Sequence, residues 1–126
     1  MSLPMQTQLE SSDRPTTVVW NRICPLQDIW PGTGAAALVD GQQIAIILMP
    51  DGQTLYATAN FDPFSKAFVM ARGIVGDRDG VPKIASPIFK QNFDLRTGIC
   101  LDDPAVALTV YPCRVVDGQI EIGITP

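Results

Sequence analysis

Short runs in which apolar and polar positions alternate, cut by Asp-Gly pairs, fill most of the chain from Thr16 onward. A period of two residues marks strands that bury one face. The first run, "TTVVW", is β-branched and closes on Trp20. The stretch "NRICPLQDIWPGTG" carries Pro25, Pro31, Gly32 and Gly34 and predicts mostly loop. "AAALV" and "QQIAIILM" flank Asp40-Gly41 and predict a hairpin, and Asp51-Gly52 predicts the next turn, before a strand over "TLYATAN". Alternation lapses between Asn60 and Gly80, which predicts a loop, a short helical turn near "SKAFVM" and a strand end near Ile74. "VPKIAS" and "FDLRTG" predict short strands, the second running into a turn. "LDDPAVAL" predicts an extended crossing segment, because Pro104 bars a helix interior. "LTVYPCRVVDGQIEIGI" predicts a last pair of strands about Asp117-Gly118. About nine short strands at this spacing predict an all-β sandwich or barrel. Eleven prolines agree, since they disfavour long helices.

Met1–Pro15 is polar, has no apolar period and predicts a disordered leader before a single domain over 16–126. No apolar run approaches the roughly 18 residues that cross a bilayer. The start of the chain lacks the charged and apolar regions of a signal peptide, so a cytoplasmic protein without a membrane partner is expected.

Charge and composition narrow the chemistry. A net charge of −4 would repel phosphate backbones, so nucleic acid is not an expected partner. Histidine is absent, which removes every mechanism that needs an imidazole, from Ser-His-Asp triads to His-ligated zinc or iron. Cys24, Cys100 and Cys113 are odd in number and widely spaced, with neither a disulfide framework nor a zinc pattern, and are expected as core thiols. The charged turn "GDRDG" lacks the spacing of a calcium loop, and there is no glycine-rich phosphate loop.

Two segments have the frame of a metal site without its ligands. "NFDPF" (Asn60–Phe64) resembles the N-x-C-P-H loop of Rieske ferredoxins. "SPIFKQNFDLRTG" (Ser86–Gly98) resembles their C-P-x-H-G-x-x-F-D-L-x-x-G loop. A Rieske centre holds one iron through two thiolates and the other through two imidazoles. Here Asp62 and Ser86 fall at the Cys positions, and Phe64 and Phe89 at the His positions. Asp and Ser offer only oxygen and Phe offers nothing, so no iron–sulfur cluster is expected. Lys90 stands where the Rieske loop has Gly.

Together with "WNRICPLQDIWPGTGAAAL", "ARGIVGD", "ICLDD" and "YPCRVVDGQIEI", these loops resemble the small subunits of NAD(P)H-dependent assimilatory nitrite reductases, over roughly Val19 to Gly123. One departure is Phe89, where members of that family often carry Lys. The resemblance implies a Rieske-like antiparallel β sandwich or barrel, of the iron–sulfur-protein type, with a small two-loop subdomain. It implies no cofactor, metal or catalytic residue on this chain. It also implies a large-subunit partner that carries FAD, siroheme and a 4Fe–4S cluster and reduces nitrite to ammonium.

For the residues themselves, Asp62 and Ser86 are expected to cap their own loops. Phe64 and Phe89 either fill the space of a cluster, a role weighted more toward Phe89, or form an aromatic tip that docks the partner. Phe61, Phe64, Lys66, Phe89 and Lys90 are the contact candidates. Lys66, Arg72, Lys83 and Lys90 flank the loops and would give the tip a basic face if they lie together. Trp20 and Trp30 are expected in the core or at its rim. Two other readings compete. One is a carrier with an atypical cluster held by Cys24, Cys100, Cys113 or Asp62. The other is an independent enzyme or ligand-binding domain on the same scaffold, and it lacks a convincing acid–base pair.

Overall fold

A computed structural model describes residues 17–126; the expected leader over 1–15 lies outside them. The described residues form twelve strands and two 3-10 turns. The strands are β1 (Val19–Pro25), β2 (Thr33–Val39), β3 (Gln42–Leu48), β4 (Leu55–Ala59), β5 (Phe61–Asp62), β6 (Ala67–Phe68), β7 (Ile74–Arg78), β8 (Val81–Ala85), β9 (Asn92–Asp94), β10 (Val110–Tyr111), β11 (Cys113–Val116) and β12 (Gln119–Ile124). The excess over nine comes from β5, β6 and β10, two-residue strands too short for a periodic signal. Every pairing is antiparallel.

β3 organises the molecule. It is the inner strand of a sheet ordered β10-β4-β3-β2, and it is buried on both faces. Ile44, Ile46 and Leu48 point into one core, with Ile120, Ile122 and Ile124 of β12. Ala45 and Ile47 point the other way, into a second core with Met70, Ile84, Phe93, Leu95 and Leu108. A strand covered on both sides needs a continuous apolar run, and "IAIIL" is one. The first core is closed by the sheet β1-β12-β11. The second joins β3 to a smaller sheet ordered β7-β8-β9; one loop of interest connects β8 to β9, and the other connects β5 to β6, a separate two-stranded sheet.

Turn chemistry sets the registers. Asp40-Gly41, Asp79-Gly80 and Asp117-Gly118 have both residues at positive φ and make two-residue hairpins, the geometry that Asp-Gly favours. Asp51-Gly52 works differently: the Asp51 carboxylate accepts the amides of Gln53 and Thr54, each at 2.8 Å. The loop expected over Asn21–Gly34 is confined to Leu26–Gly32, because β12 pairs with Val19–Pro25 and a bulge between Arg22 and Cys24 absorbs the irregular residues. The helical turn expected near "SKAFVM" lies later, at Met70–Arg72. Trp20 is half-buried beneath the Arg114 guanidinium, 3.9 Å from the ring centre. Trp30 is neither core nor rim, being 80% exposed.

Candidate functional site

The two ligand-free loops have one backbone design. Each begins with an acceptor residue followed by proline, and each ends four residues later at a lysine. In the first, the Lys66 amide donates to the Asp62 carbonyl at 2.8 Å; in the second, the Lys90 amide donates to the Ser86 carbonyl at 3.0 Å. The side chain of each leading residue caps the amide two positions on: Phe64 to Asp62 Oδ1 at 2.9 Å, and Ile88 to Ser86 Oγ at 3.3 Å. Lys66 and Lys90 have φ of 62° and 65°. That left-handed region normally favours glycine. Lys90, at the position where the Rieske loop has Gly, thus adopts a conformation that suits glycine.

The loops are rooted in the second core. Asn60 is buried and fully engaged: its Oδ1 accepts the Ala71 amide at 2.8 Å, and its own amide donates to the Gln43 carbonyl at 3.0 Å. At the far end of the second loop, the Asp94 carboxylate accepts the Arg96 amide at 2.8 Å and the Arg96 guanidinium at 3.1 Å. Asn92 is held by Asp102, which also pairs with Arg78.

Asp62 and Ser86 meet. Ser86 Oγ donates to Asp62 Oδ2 at 2.5 Å, across 24 residues of sequence, with both residues wholly buried. Asp62 Oδ2 also accepts Ser65 Oγ at 2.7 Å. Each residue caps its own loop as expected, and together they join the two. Burial alone would raise the Asp62 carboxyl above its ordinary value. The Ser86 and Ser65 hydroxyls and the Phe64 and Ser65 amides outweigh that and hold it below. A depressed carboxyl contributes stability above the unfolded value near ~4, and loses it as pH falls through the folded value. Thermal stability should therefore fall below about pH 4, with Asp51, Asp94 and Asp102 contributing in the same direction. Melting curves between pH 2 and 7 check this. The fall should be shallower in Asp62→Asn, and equal slopes would remove Asp62 from the account.

The aromatic residues divide contrary to expectation. Phe64 is half-buried, joins the second core and packs on Phe93 with ring centres 6.0 Å apart. Phe89, to which filling was more strongly assigned, is 57% exposed. The reason is offset: the His-like position is the third residue of the first loop and the fourth of the second, so the two rings leave their loops in different directions. Phe61 is half-buried in an edge-on contact with Phe68 at 5.1 Å, set by the pairing of β5 with β6. Lys66 and Lys90 are exposed at equivalent loop positions. Arg72 lies on the second 3-10 turn and Lys83 is half-buried on β8. Phe68 and Ile88, 55% and 46% exposed, belong to the same tip and were not among the sequence candidates. The signal for Ile88 was the repeated frame "DPFSK" and "SPIFK"; Phe68 lies two residues beyond it and had no such signal.

The thiols lie elsewhere. Cys24 and Cys113 pack on the first core, and Cys100 is buried in the second. Burial pushes the Cys113 thiol up to about 11, and burial with nearby Asp28 raises Cys24. Both are protonated at neutral pH and poor ligands.

The matches to known proteins agree with this frame. Residues 19–123 match the Rieske-like [2Fe-2S] domain family. A nitrite reductase (NADH) small subunit from Salmonella typhimurium is 39% identical over 103 residues, covering 82% of this chain and 95% of that one. The chain belongs to the nitrite reductase small-subunit family. A solved structure described as an NADH-dependent nitrite reductase small subunit from Mycobacterium tuberculosis superposes with a TM-score of 0.82 at 46% identity, covering 86% of this chain and 97% of that one. A nitrite reductase [NAD(P)H] large subunit from Klebsiella oxytoca contains a stretch 36% identical to 82% of this chain, which makes up 11% of that protein. The small-subunit fold thus also occurs within a much longer reductase chain.

The 2Fe–2S group named by the domain family does not fit this small subunit. A hydrogen bond closes the space between the two Cys-like positions, the Asp62 oxygens are already occupied, and neither Phe can donate. Among the described residues no group of three His, Cys, Asp or Glu side chains could hold a metal ion.

Proposed function

We propose that this chain is a cofactor-free companion of the large subunit of an assimilatory NAD(P)H-dependent nitrite reductase, and that it docks through its two-loop tip. The observation that carries the docking surface is Phe89, exposed on a loop whose leading residue is locked into the core. Phe68 and Ile88 extend the apolar surface of the same loops, and large exposed apolar side chains grouped in one region mark interaction sites. Lys66 and Lys90 supply positive charge on a chain of net charge −4. The complementary surface is an apolar recess bordered by carboxylates. Flavin, siroheme and 4Fe–4S chemistry stay with the large subunit, and this chain contributes binding without moving electrons. The family resemblance and the large-subunit match support the partner. Among the described residues no helix is long and apolar enough to cross a membrane; we place the assembly in the cytoplasm.

The test is binding of the purified chain to the purified large subunit, with the visible spectrum of the chain alone recorded in parallel. Saturable 1:1 or 2:2 binding with a colourless chain is expected. No binding, or visible iron–thiolate absorption, would remove the reading. The charges have their own prediction. Lys66→Gly and Lys90→Gly place glycine where φ is already left-handed, so they remove charge without adding strain. The pair should slow association several-fold and weaken its salt dependence while leaving dissociation nearly unchanged, because rim charges act mainly on encounter. Stopped-flow rates at two ionic strengths measure this, and an unchanged association rate would place both lysines outside the contact.

A further inference from the structure

We infer that the Asp62 carboxylate is a positioning residue for the docking tip, holding the two loops in register where iron holds them in a cluster-bearing relative. The inference rests on the docking reading above. The Ser86–Asp62 bond is the one hydrogen bond between Asn60–Lys66 and Ser86–Gln91 among the described residues. Each loop closes on itself through its lysine amide, so it can keep its own shape without the other. Among the described residues every other polar fastening of the loops runs to the rest of the domain and not directly from one loop to the other.

The carboxylate suits that task. It gathers the Ser86 hydroxyl from the second loop and the Ser65 hydroxyl and Phe64 amide from the first. Bonds to an ionised acceptor are about twice as strong as neutral ones, and burial strengthens them further. Ser86 relays the effect. Its oxygen accepts the Ile88 amide while its proton goes to Asp62, so the second loop is fastened one residue before Phe89. A serine can both accept and donate from one atom at this spot. Where a cluster-bearing relative joins its loops through metal, Asp62 and Ser86 join them through a hydrogen bond.

The test uses Ser86→Ala and Asp62→Ala in the full chain, read by hydrogen exchange and by affinity for the large subunit. Each substitution should speed exchange about tenfold or more in the loop that was not altered, while β3 and β12 keep their protection. A residue that supports only its own loop leaves the opposite loop unchanged, and that result overturns the inference. Asp62→Asn keeps an acceptor toward Phe64 but can donate an N–H back to Ser86 Oγ, so Asp62→Ala, which removes both contacts, decides the matter if Ser86→Ala does not fold. Affinity should fall several-fold in both variants. A loosened opposite loop with undiminished affinity overturns the docking role. A separate failure is distinguishable: if Phe89→Ala leaves affinity intact, the tip-docking reading is wrong, whereas the exchange result still reports on the link.

Discussion

Phe89→Ala should weaken binding of the large subunit by roughly 30-fold or more while leaving the free chain as stable as before. An aromatic anchor in an interface is worth about 2 kcal/mol or more on truncation, and about 1.4 kcal/mol is a factor of ten. Phe89 is exposed in the free chain, and exposed substitutions usually stay within about 0.5 kcal/mol of neutral. Phe64→Ala should do the reverse. Its ring packs on Phe93 in the second core, so truncation should cost on the order of 2 kcal/mol of folding stability and change affinity little at temperatures where the variant is folded. Melting temperature and dissociation constant measured on the same preparations separate the two. Unchanged affinity for a folded Phe89→Ala would take this residue out of the interface. Lost affinity in Phe64→Ala alone would mean that the half-buried ring, rather than the exposed one, meets the partner.

What the sequence disclosed and what it hid follow one physical division. β3 and β12 were legible because burial on both faces, or on one, imposes a run or an alternation long enough to count: "IAIIL" and "QIEIGI". Two of the three hairpin turns, Asp40-Gly41 and Asp117-Gly118, were legible as Asp-Gly, the third was read only as the charged turn "GDRDG", and the loop frame was legible as Pro, Phe-Asp-Leu and Gly at fixed offsets. Two-residue strands carry no period, so β5 and β6 were invisible, and with them the Phe61–Phe68 pair. The strand at Asn21–Pro25 was hidden because a bulge breaks its alternation, and its partner β12 lies about a hundred residues away. Side-chain direction was the largest loss. Phe64 and Phe89 occupy equivalent family positions, yet one turns to the core and the other to solvent; their different offsets from the leading residue implied that the rings diverge but not which of them is buried. The Asp62–Ser86 link was half visible. The two residues could be aligned with a pair of converging cysteines, which implied nearness, but not that a carboxylate and a hydroxyl would bond each other.

The second large effect is expected at Gly98, and it shows why glycines that look alike in a sequence differ in a fold. Gly41 and Gly98 have nearly the same backbone, with φ of 78° and 83°. A Cβ at Gly41 would meet nothing within 4 Å, so Gly41→Ala carries only the left-handed strain of about 1 kcal/mol. A Cβ at Gly98 would run into the backbone carbonyl of Leu108 and press on Val110. That carbonyl cannot step aside freely. Gly98 is stitched to its surroundings, its amide donating to the Asp94 carbonyl at 2.7 Å and its carbonyl accepting the Leu108 amide at 2.8 Å. Leu108 is itself part of the second core. Overlap with backbone adds about 1–3 kcal/mol to the strain, so Gly98→Ala should lose roughly 3 kcal/mol against about 1 kcal/mol for Gly41→Ala. Because Asp94–Gly98 closes the turn after the second loop, the loss should fall first on β7, β8 and β9 and on the tip they carry. Denaturant titration of both variants gives the comparison, and hydrogen exchange locates it. Equal losses at the two glycines would show that the Leu108 carbonyl yields, and that the chain crossing behind the tip is softer than its hydrogen bonds imply.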